Sequence, residues 1–278
     1  MKELTAATAL VTGASGGIGR AICLELAGCG VNLVVSGRQT GPLHELVSDL
    51  HAKKIRAVAI SADLAQTVAA EDLIERAERE FGPIDILINN AGVERPAAFT
   101  DTTAEQIRTM VEVNLTAAML LTRRVLPGML QRGRGHIVFV SSGLAKMGSA
   151  YQAPYSATKA ALIALSHALR AEYRDTRIGF SVVCPGLVTG AGMYQRMLDE
   201  GFRAKPILGT TTTRRVARKV VAAIRHDRPE THCTGTPVRP LAAALQLLPR
   251  LTEVVTTHTG MTDLFGRVAA SRTGAHYP

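Results

Sequence analysis

The chain of 278 residues is 46% hydrophobic, with no Trp and only 4% aromatic residues. That is apolar mass for one large α/β core, and too few aromatic faces for a module that stacks nucleic-acid bases, so no nucleic-acid partner is expected. The net charge of +9 is uneven, with 20 Lys/Arg against 19 Asp/Glu in residues 1–200 and 12 against 4 in residues 201–278; the basic last quarter suits an anionic or carrier-bound substrate, an anionic surface or a solvated face.

Cys23, Cys29, Cys184 and Cys233 show no paired or metal-like spacing and read as free thiols. The opening MKELTAATALVTGAS puts a lysine before an apolar run too short for a secretory leader. No stretch approaches the ~18 apolar residues of a membrane span. A cytoplasmic, reducing location is the expectation.

Residues 9–12 (ALVT) read as a buried strand, broken by Gly13, Gly17 and Gly19, after which Ile18, Ile22 and Leu26 recur at helical spacing. Glycines between a strand and a helix let the backbone approach a pyrophosphate, which the helix N-terminus then favours. The spacing is G-x-x-x-G-x-G rather than the commoner G-x-G-x-x-G. The next strand, 31–36, ends in Gly37-Arg38, where an acidic residue would bind the adenosine ribose hydroxyls. With that place empty and a guanidinium beside it, a 2′-phosphate is favoured, hence NADP(H) over NAD(H). A loop arginine in water is the competing reading.

A helix over 41–53 leads to a strand over 55–61, then Asp63 and Leu64; the Asp63 carboxylate either accepts from an adenine amino group or caps a helix. A charged helix over 67–81 precedes a strand over 84–88 and Asn89-Asn90-Ala91-Gly92, small residues where bulk would meet a ribose. A long helix over 103–130 carries Asn114, unfavourable there by propensity and so a hint of a hinge or a relay anchor. Strands over 136–141 and 179–184, the latter ending at Pro185-Gly186, flank a helix that contains Tyr155 and Lys159. Strand and helix alternate throughout, predicting a doubly wound parallel sheet with ligands at its carboxyl ends.

Tyr155 and Lys159 lie four residues apart, one above the other on a helix face. A phenol of pKa about 10 is a proton donor near neutrality, and a neighbouring ammonium lowers that pKa. Ser142, at the end of the preceding strand, reaches the same substrate oxygen. Such a pair also arises by chance on helix surfaces.

Taken together, TGASGGIG (12–19), NNAG (89–92), Asn114, Ser142, YSATK (155–159) and PG (185–186) resemble the short-chain dehydrogenase/reductase family in order and spacing, over about residues 5–230. The resemblance implies a Rossmann-type sheet of seven parallel strands and a catalytic set of Asn114, Ser142, Tyr155 and Lys159. It implies that Ser142 polarises a carbonyl, Tyr155 exchanges its proton, Lys159 lowers the phenol's pKa and holds the nicotinamide ribose, and Asn114 anchors a relay water. The cofactor contacts it implies are Gly13, Ser15, Gly17, Ile18, Gly19, Arg38, Asp63, Leu64, Asn90, Ala91, Gly92, Tyr155, Lys159, Pro185, Gly186 and Val188. It also implies a homodimer or homotetramer through the helices of Asn114 and Tyr155. Two departures stand out: position 16 is glycine where NADP-preferring members often have a basic residue, and Gly190 follows Thr189 where a threonine often stands.

Residues 187–209 occupy the place of a substrate lid, with Gly190 and Gly192 as hinges. Met193, Tyr194, Met197 and Phe202 either face the substrate or pack as core. The segment after Ser142 is expected to line the pocket through Leu144, Met147 and Tyr151, with Lys146 in solvent. A basic helix covers 212–228. Residues 1–236 thus form one catalytic domain, and 237–278 a helical extension that rests on a membrane, covers the substrate mouth or packs on a neighbouring subunit. The function expected is NADP(H)-dependent interconversion of a ketone and a secondary alcohol on a largely apolar substrate. The alternative is an NADP-binding sensor or scaffold without turnover.

Overall fold

The structure is a computed structural model, and it describes residues 1, 3–234 and 250–273. Seven strands make one parallel sheet: β1 (Thr8–Thr12), β2 (Asn32–Gly37), β3 (Ala57–Ser61), β4 (Ile86–Asn89), β5 (Gly135–Val140), β6 (Ile178–Pro185) and β9 (Glu230–Cys233). Their spatial order is β3-β2-β1-β4-β5-β6-β9. The order reverses between β1 and β4, so the crevice at the carboxyl ends of those two strands is the place for a ligand.

Helices cover both faces. On one, Ile22 and Leu26 of α1 (Gly17–Ala27), Leu43 and Leu46 of α2 (Thr40–Ala52) and Val216 and Val220 of α8 (Thr213–Arg225) bury Val11, Leu33 and Val35. On the other, Leu73 and Ile74 of α3 (Val68–Phe81), Leu121 and Val125 of α5 (Ala117–Arg132) and Leu162 of α6 (Ala153–Glu172) bury Leu10, Val34, Ile137 and Phe139. Successive residues of a strand point to opposite faces, so a strand covered on both sides needs an unbroken apolar run. That is why ALVT and HIVFV do not alternate.

The predicted helix over 103–130 is broken. A Thr103–Gln106 capping box starts α4 (Ala104–Val111), a π turn spans Glu112–Thr116, and α5 follows. The wide turn holds Asn114, whose Nδ2 donates to Val93 O at 2.9 Å and Thr158 Oγ1 at 3.1 Å, while Val93 N donates to Asn114 Oδ1 at 2.7 Å. These bonds offset the cost of a buried amide in a helix. Asn114 thereby ties the loop after β4 to α6.

Past β6 the chain forms β7 (Leu187–Thr189), the helix α7 (Met193–Asp199) and β8 (Thr210–Thr212), and β7 pairs in parallel with β8. This small second sheet pins both ends of the α7 segment; three-residue strands leave too little pattern to foresee it. Two further helices, α9 (Arg250–His258) and α10 (Met261–Thr273), follow. The face of α10 formed by Met261, Leu264, Phe265 and Val268 is buried against Tyr194 and Met197 of α7. That face is therefore spent within this chain rather than on a bilayer. The apolar, arginine-spaced stretch over 237–249 lies outside the described residues. No helix among the described residues is long and apolar enough to cross a membrane.

Candidate active site

A cleft of about 850 Å³ opens along the carboxyl ends of the strands. Its first half is backbone. Gly13 takes φ +63°, and a Cβ there would press on Ala91 Cα at 2.9 Å. A Cβ at Gly17 would collide with Ala191, and one at Gly19 with the Gly13 carbonyl. The loop is clipped from below by Thr12, whose Oγ1 accepts from Asn90 N and Ala91 N, each at 3.1 Å, and donates to Ile88 O at 3.2 Å. Asn90 Nδ2 completes the clip by donating to Thr12 O at 2.9 Å and Gly13 O at 3.2 Å. The result is a side-chain-free cradle at the N-terminus of α1, fitted to a pyrophosphate.

Gly13, Ser15, Gly17, Ile18, Gly19, Arg38, Asp63, Leu64, Asn90, Ala91, Gly92, Pro185, Gly186 and Val188 all line this cleft. Gly37 is held bare by Ser15, whose Oγ lies 2.9 Å from where a Cβ would stand. Beside it Arg38 is exposed, with no ion pair among the described residues. Asp63 accepts from Ala65 N at 3.3 Å, whereas the N-cap of α3 is Thr67. The carboxylate shapes a turn and does not cap that helix.

At the middle of the cleft stand Ser142, Tyr155 and Lys159. Ser142 follows β5, and its Oγ accepts from Leu144 N at 3.2 Å beside Tyr155. Lys159 donates from Nζ to Val140 O at 3.0 Å, and a Cβ at Gly92 would stand 3.1 Å from that nitrogen. Burial pulls the Lys159 ammonium down to about 8. Burial also pushes the Tyr155 phenol above its ordinary value, the Glu94 carboxylate adds to that, and the nearby Ser142 hydroxyl opposes it. Here the expectation from spacing needs correction: desolvation outweighs any help from the lysine, and the phenol is held protonated. Asn114 lies behind this group, 1% exposed, and supports it through Val93 and Thr158.

The far half of the cleft is apolar. Leu144, Met147, Met193, Tyr194 and Met197 line it, together with Val255, Met261 and Phe265. Tyr151 is not among the residues lining the cleft; it packs against the apolar cluster that forms this wall, with Tyr194, Met197 and Met261. Lys146 is not in solvent either. It lines the cleft, its side chain 11% exposed, and donates to Glu230 Oε2 at 2.9 Å. His232 lies 2.6 Å from the other oxygen of Glu230, and these bonds, the His232 one first, pull the carboxyl down to about 2 against the effect of burial. His232 stands at the carboxyl end of the seventh strand, where the strand-end rule alone could have found it. Glu94 carried no signal beyond its nearness to Gly92.

A family model described as short chain dehydrogenase matches residues 7–201. The ketoacyl reductase HetN of Nostoc sp. is 37% identical over 247 residues, covering 89% of this chain and 85% of that protein. Among solved structures, a short chain dehydrogenase/reductase from Burkholderia phymatum in complex with NAD superposes with a TM-score of 0.78 at 23% identity, over 92% of this chain and 97% of that one. A blue fluorescent protein from a metagenomic library, in complex with NADPH, superposes with a TM-score of 0.74 at 26% identity, over 84% of this chain and 98% of that one. By sequence and by fold, this chain belongs to the short chain dehydrogenase family.

Proposed function

We propose that the protein is an NADP(H)-dependent oxidoreductase that interconverts a ketone and a secondary alcohol on a largely apolar substrate. The observation that carries this reading is the grouping of Ser142, Tyr155 and Lys159 where the glycine cradle meets the apolar pocket. When bound, the nicotinamide supplies or takes the hydride. Ser142 holds the substrate oxygen, and Tyr155 donates its phenol proton to that oxygen as negative charge develops there. A phenol kept protonated by burial suits the direction of reduction. Lys159, fixed by Val140 O, presents an ammonium beside Gly92 for the ribose hydroxyls, and Asn114 keeps the loop and α6 in register.

Arg38 supports NADP(H), because a guanidinium without an ion pair stands beside Gly37 where a ribose carboxylate partner would otherwise be. The likeness to HetN supports a ketoacyl group as one substrate class. In this reading residues 1–236 are the catalytic unit, 187–209 its lid, and 237–278 an extension whose α10 closes the pocket.

The test is consumption of NADPH and NADH across a panel of ketones. Tyr155→Phe should lower kcat by about 10²–10⁴-fold while coenzyme binding stays within about twofold; a mutant as active as the wild type sinks the mechanism. Arg38→Ala should weaken NADPH about tenfold or more and NADH little, as expected for one lost charge-assisted contact. Equal weakening of both removes the 2′-phosphate assignment.

A further inference from the structure

One acid stands in the cleft beside Tyr155, facing the apolar half: Glu94, two residues past Gly92. Its place is built. Gln152 Nε2 donates to Glu94 Oε2 at 3.2 Å, and Ala97 N donates to Tyr151 O at 3.0 Å, so the segment after β4 is zipped to the segment before α6. To present Gln152 there, Tyr151 adopts φ +62°, a left-handed backbone that residues with side chains rarely take.

Two acceptors are left over. Among the described residues nothing donates to Glu94 Oε1, and Gln152 Oε1, on a side chain 1% exposed, has no partner. Arg196 and Arg272 are the nearby cations, yet neither makes an ion pair with Glu94, and Arg272 pairs with Glu200 at 3.7 Å. Burial pushes the Glu94 carboxyl up, as expected for an acid that lacks enough donors. A half-buried carboxyl with one oxygen held and the other open is matched by a ligand that brings a donor, and mismatched by a hydrocarbon or a second anion.

Resting on the proposed ketone chemistry, we infer that Glu94, positioned by Gln152, is a specificity residue that accepts a hydrogen bond from a hydroxyl or N–H group carried by the substrate near its reacting carbonyl. The favoured substrates are then hydroxy- or amido-substituted ketones, and substrates with an anionic group at that distance are rejected.

The experiment compares a hydroxymethyl ketone with the methyl ketone of equal chain length, each with NADPH and NADH. The wild type should prefer the hydroxylated ketone by about tenfold or more in kcat/KM, in line with sites that bond a substrate hydroxyl. Glu94→Leu should bring that ratio to about one, mainly through KM, and Gln152→Leu should lower it part of the way. Coenzyme binding reports folding of each variant, and Glu94→Gln, which keeps the size, serves if the leucine variant does not fold; it should reduce the ratio too. A wild type without preference overturns the inference and leaves the ketone chemistry standing. So does an equal loss on both ketones in Glu94→Leu that Arg196→Gln reproduces, because Glu94 would then be a lid latch. A wild type that reduces neither ketone overturns the proposed reaction, and this inference with it.

Discussion

The two halves of the cleft are made of different material. The half toward β1 and β2 is built chiefly on backbone: glycines and a helix N-terminus, clipped together by Thr12 and Asn90 and edged by the side chains of Ser15, Arg38 and Asp63. The half toward the lid is side chain, and its parts come from three distant stretches: the turn after β5, α7, and the α9–α10 pair near the end of the described chain. Backbone recognition leaves no room for an added atom at Gly13, Gly17 and Gly19 and so fixes residue identity there. Apolar recognition needs volume and shape, which many residue combinations supply. One half can thus stay constant in its ligand while the other changes its substrate.

This contrast can be broken by substitution. The largest effect is expected at Phe265, which is 2% exposed and lines the substrate half. Phe265→Ala should cost about 3–5 kcal/mol of stability in denaturant unfolding and raise the ketone KM, with coenzyme Kd unchanged in the folded fraction. Weakened coenzyme binding would mean the halves are not separable. Lys159, at their junction, comes next. Its folded pKa of about 8 lies below the ordinary 10.5, so the coenzyme-free native state binds fewer protons than the unfolded chain between those values. The resulting penalty is fully present below pH 8 and is relieved as pH rises toward 10.5, a change of order 3 kcal/mol. Lys159→Met should therefore be inactive yet at least as stable at pH 7, and its stability should lose that rise with pH; an unchanged rise would assign it to another group. Smallest is Gly19→Ala, whose Cβ meets the Gly13 carbonyl and lies 2.8 Å from Asn90 Nδ2. It should weaken coenzyme roughly ten- to hundredfold, about 1–3 kcal/mol of overpacking, and leave the ketone KM nearly unaltered. A matching rise in ketone KM would blur the contrast.

The same contrast explains what could be read in advance. TGASGGIG, NNAG and the Tyr155–Lys159 spacing are local features, each within a few residues of chain, and the structure sets them along one crevice. The breaks in pattern were harder. The helix over 103–130 carries an unbroken helical signal, and the π turn at Asn114 exists because Val93 and Thr158, from two other elements, satisfy its amide. Lys146 looked like a solvent lysine until Glu230, eighty-four residues on, came to lie 2.9 Å away. Tyr151, at the expected place in the chain, packs against the apolar cluster of the wall without lining the cleft, an outcome set by the elements around it rather than by its own spacing.

By itself, the sequence determined the alternation of buried strands and helices, the glycine cradle and the Tyr155–Lys159 spacing, because turn sterics, helical spacing and strand burial act over short stretches. Only the tertiary structure decided which way the phenol's pKa moves, since desolvation depends on everything packed around Tyr155. It alone decided that α10 roofs the pocket and that Glu94 faces it, because side chains far apart in the chain share a cavity only after the sheet has closed and the apolar faces have found their partners.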